Sequence, residues 1–437
     1  MKRRIITISK KEIATLVLFF AAIIVDFVQI HFNSNKILLP FWICILAILF
    51  CLSPRLKVNF SRYNSVQRIW LILQLYTIFA TLLNFIIHTR RAYGLSDLII
   101  SCLFSYILPC VAALFLAGQK QTIYWAELFR NFAFLCSILG MFEYLTRIQV
   151  YSGLITSELA ANNLLVFSSS ISRTYRLTLF FYHPTYYSLV LAIGIICCLF
   201  FPYKNRVLNL LGIILMMTNL AFTQSRTGWI ATIIGVLLFL MCGGKGINKR
   251  VRFSVIKRVL IGIVLLAISC IMIYIFLRPV FDNIINIIDE RVSEMLQGNA
   301  YGARIANFSI LKSIIQNGES YVYLFGGGER YAITYLQAHT FVDSWSNAID
   351  NQFLTIFLNF GIIGLGLYVG LLVVVIRSFS KIKIHKELAF PFVVLIMLII
   401  SSFLFEPIGS NYIGVVFNIV IGLTFIKNYK IKKKVVS

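Results

Sequence analysis

The sequence predicts an all-α, polytopic membrane protein of about twelve transmembrane helices, with a large helical external loop between spans nine and ten. Three observations lead there. The chain is 59% hydrophobic with only 13% charged residues, and its mean hydropathy is +0.86; a soluble chain carries roughly a quarter charged residues. Apolar runs close to the roughly 20 residues that cross a ~30 Å hydrocarbon core recur along its whole length. Its basic residues fall on alternate connections, as the positive-inside rule requires.

The expected spans are 12–30, 36–52, 69–88, 96–117, 123–146, 183–201, 207–223, 227–242, 258–277, 352–376, 388–405 and 409–426. The first run follows "MKRRIITISKK" and lacks a small-residue cleavage site, so it reads as a retained helix and not as a signal peptide. With both termini in the cytoplasm, 27 of the 40 Lys and Arg lie in short cytoplasmic segments. Acidic residues show the opposite bias: Asp282, Asp289, Glu290, Glu294, Glu319, Glu329 and Asp343 share one external loop. The net charge of +24 is therefore a topology signal. It gives no basic face interleaved with aromatics, so nucleic acid is not an expected partner. The basic loops instead suit anionic membrane lipid. Most of the nine cysteines sit inside apolar runs without ligand spacing, and read as small hydrophobes.

Two external segments exceed ordinary connections, 147–182 and 278–350. In the second, the spacing of Ile284, Ile287, Ile288 and then Ile305, Phe308, Leu311 predicts amphipathic helices. The organisation read from this is a single transmembrane domain, 1–437, with 278–350 capping its outer face.

Three stretches carry candidate chemistry. "LAFTQSRTGWIAT", 220–232, puts Arg226 and its neighbour Ser225 at the junction of spans seven and eight. A cation at mid-membrane costs roughly 2.5–3.5 kcal/mol on insertion scales. Arg226 is thus either a snorkelling rim residue with Trp229 in the aromatic belt, or a planar donor for an anion at the outer surface. Arg176, in "TYRLTLFFYHPTYYS", and Arg304, in "NAYGARIANF", are predicted on the same side, and three guanidinium groups there can bind a diphosphate. The third stretch, "SNAIDNQFLTIFLNFGIIGLGLYVG", places Asp350 and Asn351 at the outer end of span ten. Asp350 suits either an N-cap or a general base. Gly361, Gly364, Gly366 and Gly370 have the small-residue spacing of close helix packing. His339 is either a surface residue or a second acid/base group, and His183, before Pro184, reads as structural. "YLFGGGERY", 323–331, lacks the GK[ST] of a phosphate loop and reads as a flexible turn. No carboxylate or His/Cys cluster has metal spacing, so neither metal nor cofactor is expected.

Taken in order, these residues resemble the bacterial O-antigen ligase/Wzy polysaccharide polymerase superfamily. "FTQSRTGWIA" is similar to its SR-containing motif, and "RLTLFFYHPTYYSLVLA", "LFGGG" and "DNQFLTIFLNFGIIG" follow the family order over roughly 170–370. The resemblance implies a GT-C-like integral glycosyltransferase on the outer face of the bacterial cytoplasmic membrane. It would use an undecaprenyl-diphosphate-linked oligosaccharide as donor and a lipid-linked repeat as acceptor, without nucleotide sugar or metal. It further implies that Arg226 and Arg304, with Arg176, engage the donor diphosphate, and that Ser225, Asn351 and His183 support them. Asp350 falls where ligases carry the His of an "HN" pair. The "DN" here favours a polymerase of O-antigen, capsule or exopolysaccharide repeats over a ligase. Chain-length regulator and flippase proteins are candidate partners. The rival readings are a ligase acting on a lipid or protein acceptor and, from another class, a lipid-oligosaccharide flippase or transporter. Against the transporter, the charges gather at the outer face and the two halves show no repeat.

Overall fold

The computed structural model describes residues 10–32, 35–52, 63–88, 94–114, 119–149, 175–181, 183–242, 320–338, 349, 351–382, 385–406, 408 and 411–424. Every regular element among them is helical. In chain order these are α1 (Lys10–Phe32), α2 (Asn35–Leu52), α3 (Ser65–His88), α4 (Leu95–Cys102), a π-helical stretch (Leu103–Ile107), α5 (Leu108–Leu114) and α6 (Gln119–Thr146). They continue with α7 (Pro184–Phe200), α8 (Arg206–Thr223), α9 (Arg226–Met241), α10 (Ser320–Phe325), α11 (Tyr331–Ala338), α12 (Gln352–Ile382), α13 (Lys386–Ser401) and α14 (Asn411–Leu423). Eleven of the twelve expected spans thus coincide with described helices. The ninth, 258–277, lies outside the described residues, as do most of both long external segments.

Local chemistry sets the helix ends. Pro184 opens α7 at a position where its missing N–H costs nothing, behind His183 as N-cap. Asn205 caps α8 by accepting from the Val207 and Leu208 amides. Among the described residues five segments are long and apolar enough to cross a membrane: Ser65–Ile87, Leu95–Leu114, Gln121–Thr146, Arg206–Thr223 and Gln352–Ile382. Of the shorter apolar helices, α7 and α13 form the centre: almost every residue of Pro184–Phe200 and of Ala389–Ile399 is buried. Around them α3, α6, α8, α9 and α12 turn large side chains outward, among them Ile86, Leu145, Leu211, Ile233, Ile362 and Val373. In water such a coat would be costly; in a bilayer it is the lipid-facing surface.

Between helices in lipid there is no hydrophobic driving force, so packing and cross-helix hydrogen bonds hold the bundle. Trp70 Nε1 donates to Asn418 Oδ1 at 2.9 Å, joining α3 to α14. Gln67 Nε2 donates to the Gly422 carbonyl at 3.0 Å on the same pair. Asn219 Nδ2 donates to the Ser137 carbonyl at 3.0 Å, joining α8 to α6. Each such bond contributes roughly 0.6–1.7 kcal/mol.

Two expectations need correction. The GGG stretch is not a flexible turn. Gly327 N donates to Leu358 O at 2.8 Å and Gly328 N to Asn359 O at 2.7 Å, while Asn84 Nδ2 donates to Gly326 O at 2.7 Å. The turn is therefore wedged between α3 and α12. Gly326 has φ +78° and Gly361 φ +66°, where α12 breaks its helical path. A Cβ on Gly326 would collide with the Asn359–Phe360 backbone, and one on Gly361 with Leu324 O. Nor does the glycine series of α12 act as a packing stripe throughout. Nothing lies within 4 Å of a Cβ built on Gly366 or Gly370, because that side of the helix meets no described neighbour.

This contrast predicts opposite outcomes along one helix. Gly361→Ala and Gly326→Ala combine left-handed strain with overpacking and should each cost about 1–3 kcal/mol. Gly366→Ala should be neutral or stabilising by about 0.5–1 kcal/mol. Thermal unfolding of the detergent-solubilised variants separates the two groups.

Candidate functional site

One end of the bundle collects the termini of α6, α7, α8, α9, α12, α13 and α14. Its centre is the two-residue turn between α8 and α9. Gln224 is left-handed (φ +53°) and Ser225 extended before α9 begins at Arg226. A hairpin this tight leaves the last carbonyls of α8 without helical partners, and buried carbonyls must be paired. The segment 175–177 provides the donors. Leu177 N donates to Phe222 O at 3.0 Å. Arg176 Nε reaches Thr223 O at 3.3 Å, and its Nη2 reaches Gln224 O at 3.5 Å. In return Gln224 Nε2 donates to Tyr175 O at 3.3 Å. A guanidinium at a helix C-terminus also meets the negative end of the macrodipole.

Trp229 is half-buried in the first turn of α9. Its indole N–H donates to Leu220 O at 3.2 Å, tying the first turn of α9 back onto α8. Arg226, half-buried at the first position of α9, follows Gln224 by two residues and so begins next to the carbonyls that Arg176 holds. Ser225 is buried but does not cap α9 with its side chain; its hydroxyl lies 3.5 Å from Thr185 Oγ1 at the start of α7. Two helix N-termini, those of α7 and α9, therefore open next to two guanidinium groups, a combination that favours an anion.

His183 has a defined structural duty. Its Nδ1 accepts from Thr185 N at 3.2 Å, and its ring lies nearly parallel to Phe405 at 6.2 Å. Arg176 acts on it through space. Phe405 also packs edge-on against Tyr186 at 4.9 Å, which brings the connection between α13 and α14 to the arginine cluster. The next residue, Glu406, accepts a hydrogen bond from the Thr355 hydroxyl of α12. The start of α12 is stitched to the same connection: Gln352 N donates to Ser402 O at 2.9 Å, and Gln352 Oε1 accepts from Ile408 N at 2.9 Å. Asn351, and not Asp350, is the N-cap of α12, accepting from Phe353 N at 3.0 Å and Leu354 N at 3.1 Å.

The structure thus brings Arg176, His183, Ser225 and Arg226 together and links Asn351 to them through Phe405 and Glu406. Arg304, His339 and Asp350 lie outside the described residues. Sequence reasoning missed two features of this end. Arg147, left-handed at the end of α6, lays its guanidinium 4.3 Å from both the Tyr144 and Tyr175 rings. Tyr175 in turn donates to Glu143 Oε1 at 2.7 Å, so a buried carboxylate anchors the segment that carries Arg176. Glu406 is the other. It is the sole acidic residue after Glu387, a signal available in the sequence. Among the described residues no three His, Cys, Asp or Glu side chains gather as metal ligands.

His183 as a cap makes a sharp prediction. His183→Asn keeps an acceptor at the cap and should preserve stability and any activity. His183→Ala should lose about 0.5–2 kcal/mol, read by thermal unfolding in detergent. A collapse of activity in a stable Asn variant would instead make the imidazole chemical.

Residues 211–369 match the family model described as O-antigen ligase. No curated protein matches the chain. The matched stretch begins within α8 and ends within α12, so it contains the α8–α9 turn with Arg226, the wedged glycine turn and the capped start of α12. On that match residues 211–369 are similar to the O-antigen ligase family, and the described residues around them form apolar, membrane-protein-like helices.

Proposed function

We propose that the protein polymerises lipid-linked oligosaccharide repeats on the outer face of the cytoplasmic membrane. The observation that carries this reading is the meeting of Arg176 and Arg226 at the α8–α9 turn, beside two helix N-termini, in a chain that matches this family over 211–369. An undecaprenyl-diphosphate donor presents the charge such a cluster is suited to hold. Arg304, from the large external segment, is the third guanidinium in this scheme.

In the reaction, Asp350 accepts the proton of a hydroxyl on the incoming lipid-linked repeat. The hydroxyl oxygen forms a bond to the anomeric carbon of the donor chain as the bond from that carbon to the diphosphate oxygen breaks. Undecaprenyl diphosphate leaves with the electron pair, its charge met by the arginines. Stabilising charge that develops on a leaving group is commonly the largest catalytic contribution. A carboxylate at 350, where ligases carry histidine, favours chain extension over transfer to a finished acceptor.

Arg226→Lys and Arg304→Lys should fold normally yet lose about 100- to 1000-fold in rate, since ammonium cannot reproduce the bidentate geometry. Asp350→Asn should abolish turnover while donor binding stays measurable; full activity in that variant moves the base to His339 or Glu406. The deciding assay incubates purified protein with a defined undecaprenyl-diphosphate-linked repeat in the presence of a chelator. A ladder of chain lengths supports the polymerase. Single attachment to an added lipid or protein acceptor indicates a ligase, and movement of unchanged substrate across proteoliposomes a transporter.

A further inference from the structure

Glu329 belongs to the acidic 278–350 segment, yet it is buried. It follows Gly328 at the tip of the wedged turn and is only 7% exposed. Three helices fix its depth independently. Its amide donates to Thr81 Oγ1, seven residues before the end of α3 at His88. Its carboxyl meets Ser101, six residues into α4, and the turn bonds Asn359, seven residues into α12. At 1.5 Å per residue each places the tip about 10 Å inside the bundle.

The surroundings of the carboxyl are short of donors. Ser101 Oγ donates to Oε1 at 3.2 Å and the Tyr106 phenol is a second donor toward the carboxyl, but Oε2 has no partner in hydrogen-bond geometry among the described residues. Asn84, over which Gly328 packs, has both contacts of its Nδ2 on carbonyls, Ala80 and Gly326. Its Oδ1 is also buried and unpartnered there. The pocket therefore holds two acceptor oxygens that lack a donor. The groups facing it are Thr81 and Asn84 from α3, Ser101 and Cys102 from α4, Tyr106 from the π-helical stretch and Asn359 with Phe360 from α12. Arg330 adds a cation from the turn itself, and Glu406 acts on Tyr106 from the α13–α14 connection. An ionised carboxylate adds charge where acceptors are already in excess; a proton on it supplies a donor.

We propose that Glu329 is a positioning residue that seats the 326–331 turn against α3, α4 and α12 as a neutral carboxylic acid, and that its ionisation unseats the turn. Because the turn is bonded to Leu358 and Asn359 and packs on Gly361, loosening it frees the first half of α12, which carries Asn351 at its start. That link to catalysis rests on the polymerase reading; the seating does not.

The pH direction follows from burial, which raises the Glu329 pKa, while Ser101, Arg330 and Tyr106 pull the other way. A group raised on seating stabilises the seated turn fully below its ordinary value, about 4.3. That stabilisation is lost as pH rises from the ordinary value to the seated one, the seated-to-open ratio falling about tenfold per pH unit in between and levelling off above.

Hydrogen exchange of the full-length protein in nanodiscs tests this without any activity. Wild type and Glu329→Gln are compared at matched pH, so intrinsic exchange rates cancel. The glutamine amide mimics the neutral acid and supplies the missing donor. The turn amides of 327–329 should be equally protected in both proteins at low pH. Wild type alone should lose protection, by about tenfold per unit, as pH rises. Superimposable protection at every pH overturns the proposal. So does a glutamine variant less protected at low pH, which would make the carboxylate a charge partner of Arg330. In the polymerisation assay, Glu329→Gln should remove an alkaline fall in kcat while leaving KM for the lipid-linked donor unchanged. A chain without polymerase activity would sink the polymerase reading and leave the exchange result standing.

Discussion

The α8–α9 turn is the constraint on which this end of the molecule depends. Two apolar helices reverse direction across Gln224 and Ser225, and the carbonyls left over at the end of α8 are enclosed. Water cannot pair them there, so the chain must. Tyr175–Leu177 does so by lying against the turn, which obliges Arg176 to sit at the helix terminus. The same segment is held from its other side by Glu143 through Tyr175, and by Arg147 stacked on two tyrosines. What looks like a collection of arginines is in the first place the solution to a backbone problem.

The second departure from regular helix, at 326–331 and Gly361, obeys the same rule with different parts. Here glycine amides donate into carbonyls that the break in α12 leaves open, and Asn84 and Asn359 complete the pairing. Non-helical backbone at such depth is tolerated only inside protein. Both departures fall within the stretch that matches the O-antigen ligase family. Left-handed Gln224, a non-glycine residue buried at the turn, marks a place where strain is held by its surroundings.

The helices themselves were legible from hydropathy alone, because a lipid-facing helix must be apolar whatever it packs against. Arg226 was legible too, since a fixed cation at a span junction violates that requirement visibly. Its partners were not. Arg176 bonds carbonyls 47 and 48 residues away, and Glu406 meets Thr355 across 51; no periodicity encodes pairings at such range. Glu329 misled for a related reason: its location in a polar external segment said nothing of a turn that dives back between α3 and α12. The glycines of α12 show the limit of motif spacing. Gly361 is required by a backbone contact, yet Gly366 and Gly370 share the spacing and contact nothing described. Asp350 was read as either cap or base, and the cap that the structure describes is Asn351.

A guanidinium tied to backbone carbonyls is better suited to a diphosphate than a free one would be. Carbonyls are neutral, so they orient Arg176 without cancelling its charge, as a carboxylate partner would. Holding a side chain that otherwise samples many rotamers removes entropy before any ligand arrives, and that cost is met by folding. The neighbouring N-termini of α7 and α9 add partial positive charge in the same place. Glu406, on the connection between α13 and α14, is engaged by Thr355 and follows Phe405, whose ring packs against His183 and Tyr186. In the proposed reaction the cationic turn meets the leaving diphosphate, while the proton of the incoming hydroxyl goes to Asp350. The cationic half of that arrangement follows from how an apolar bundle closes its own backbone.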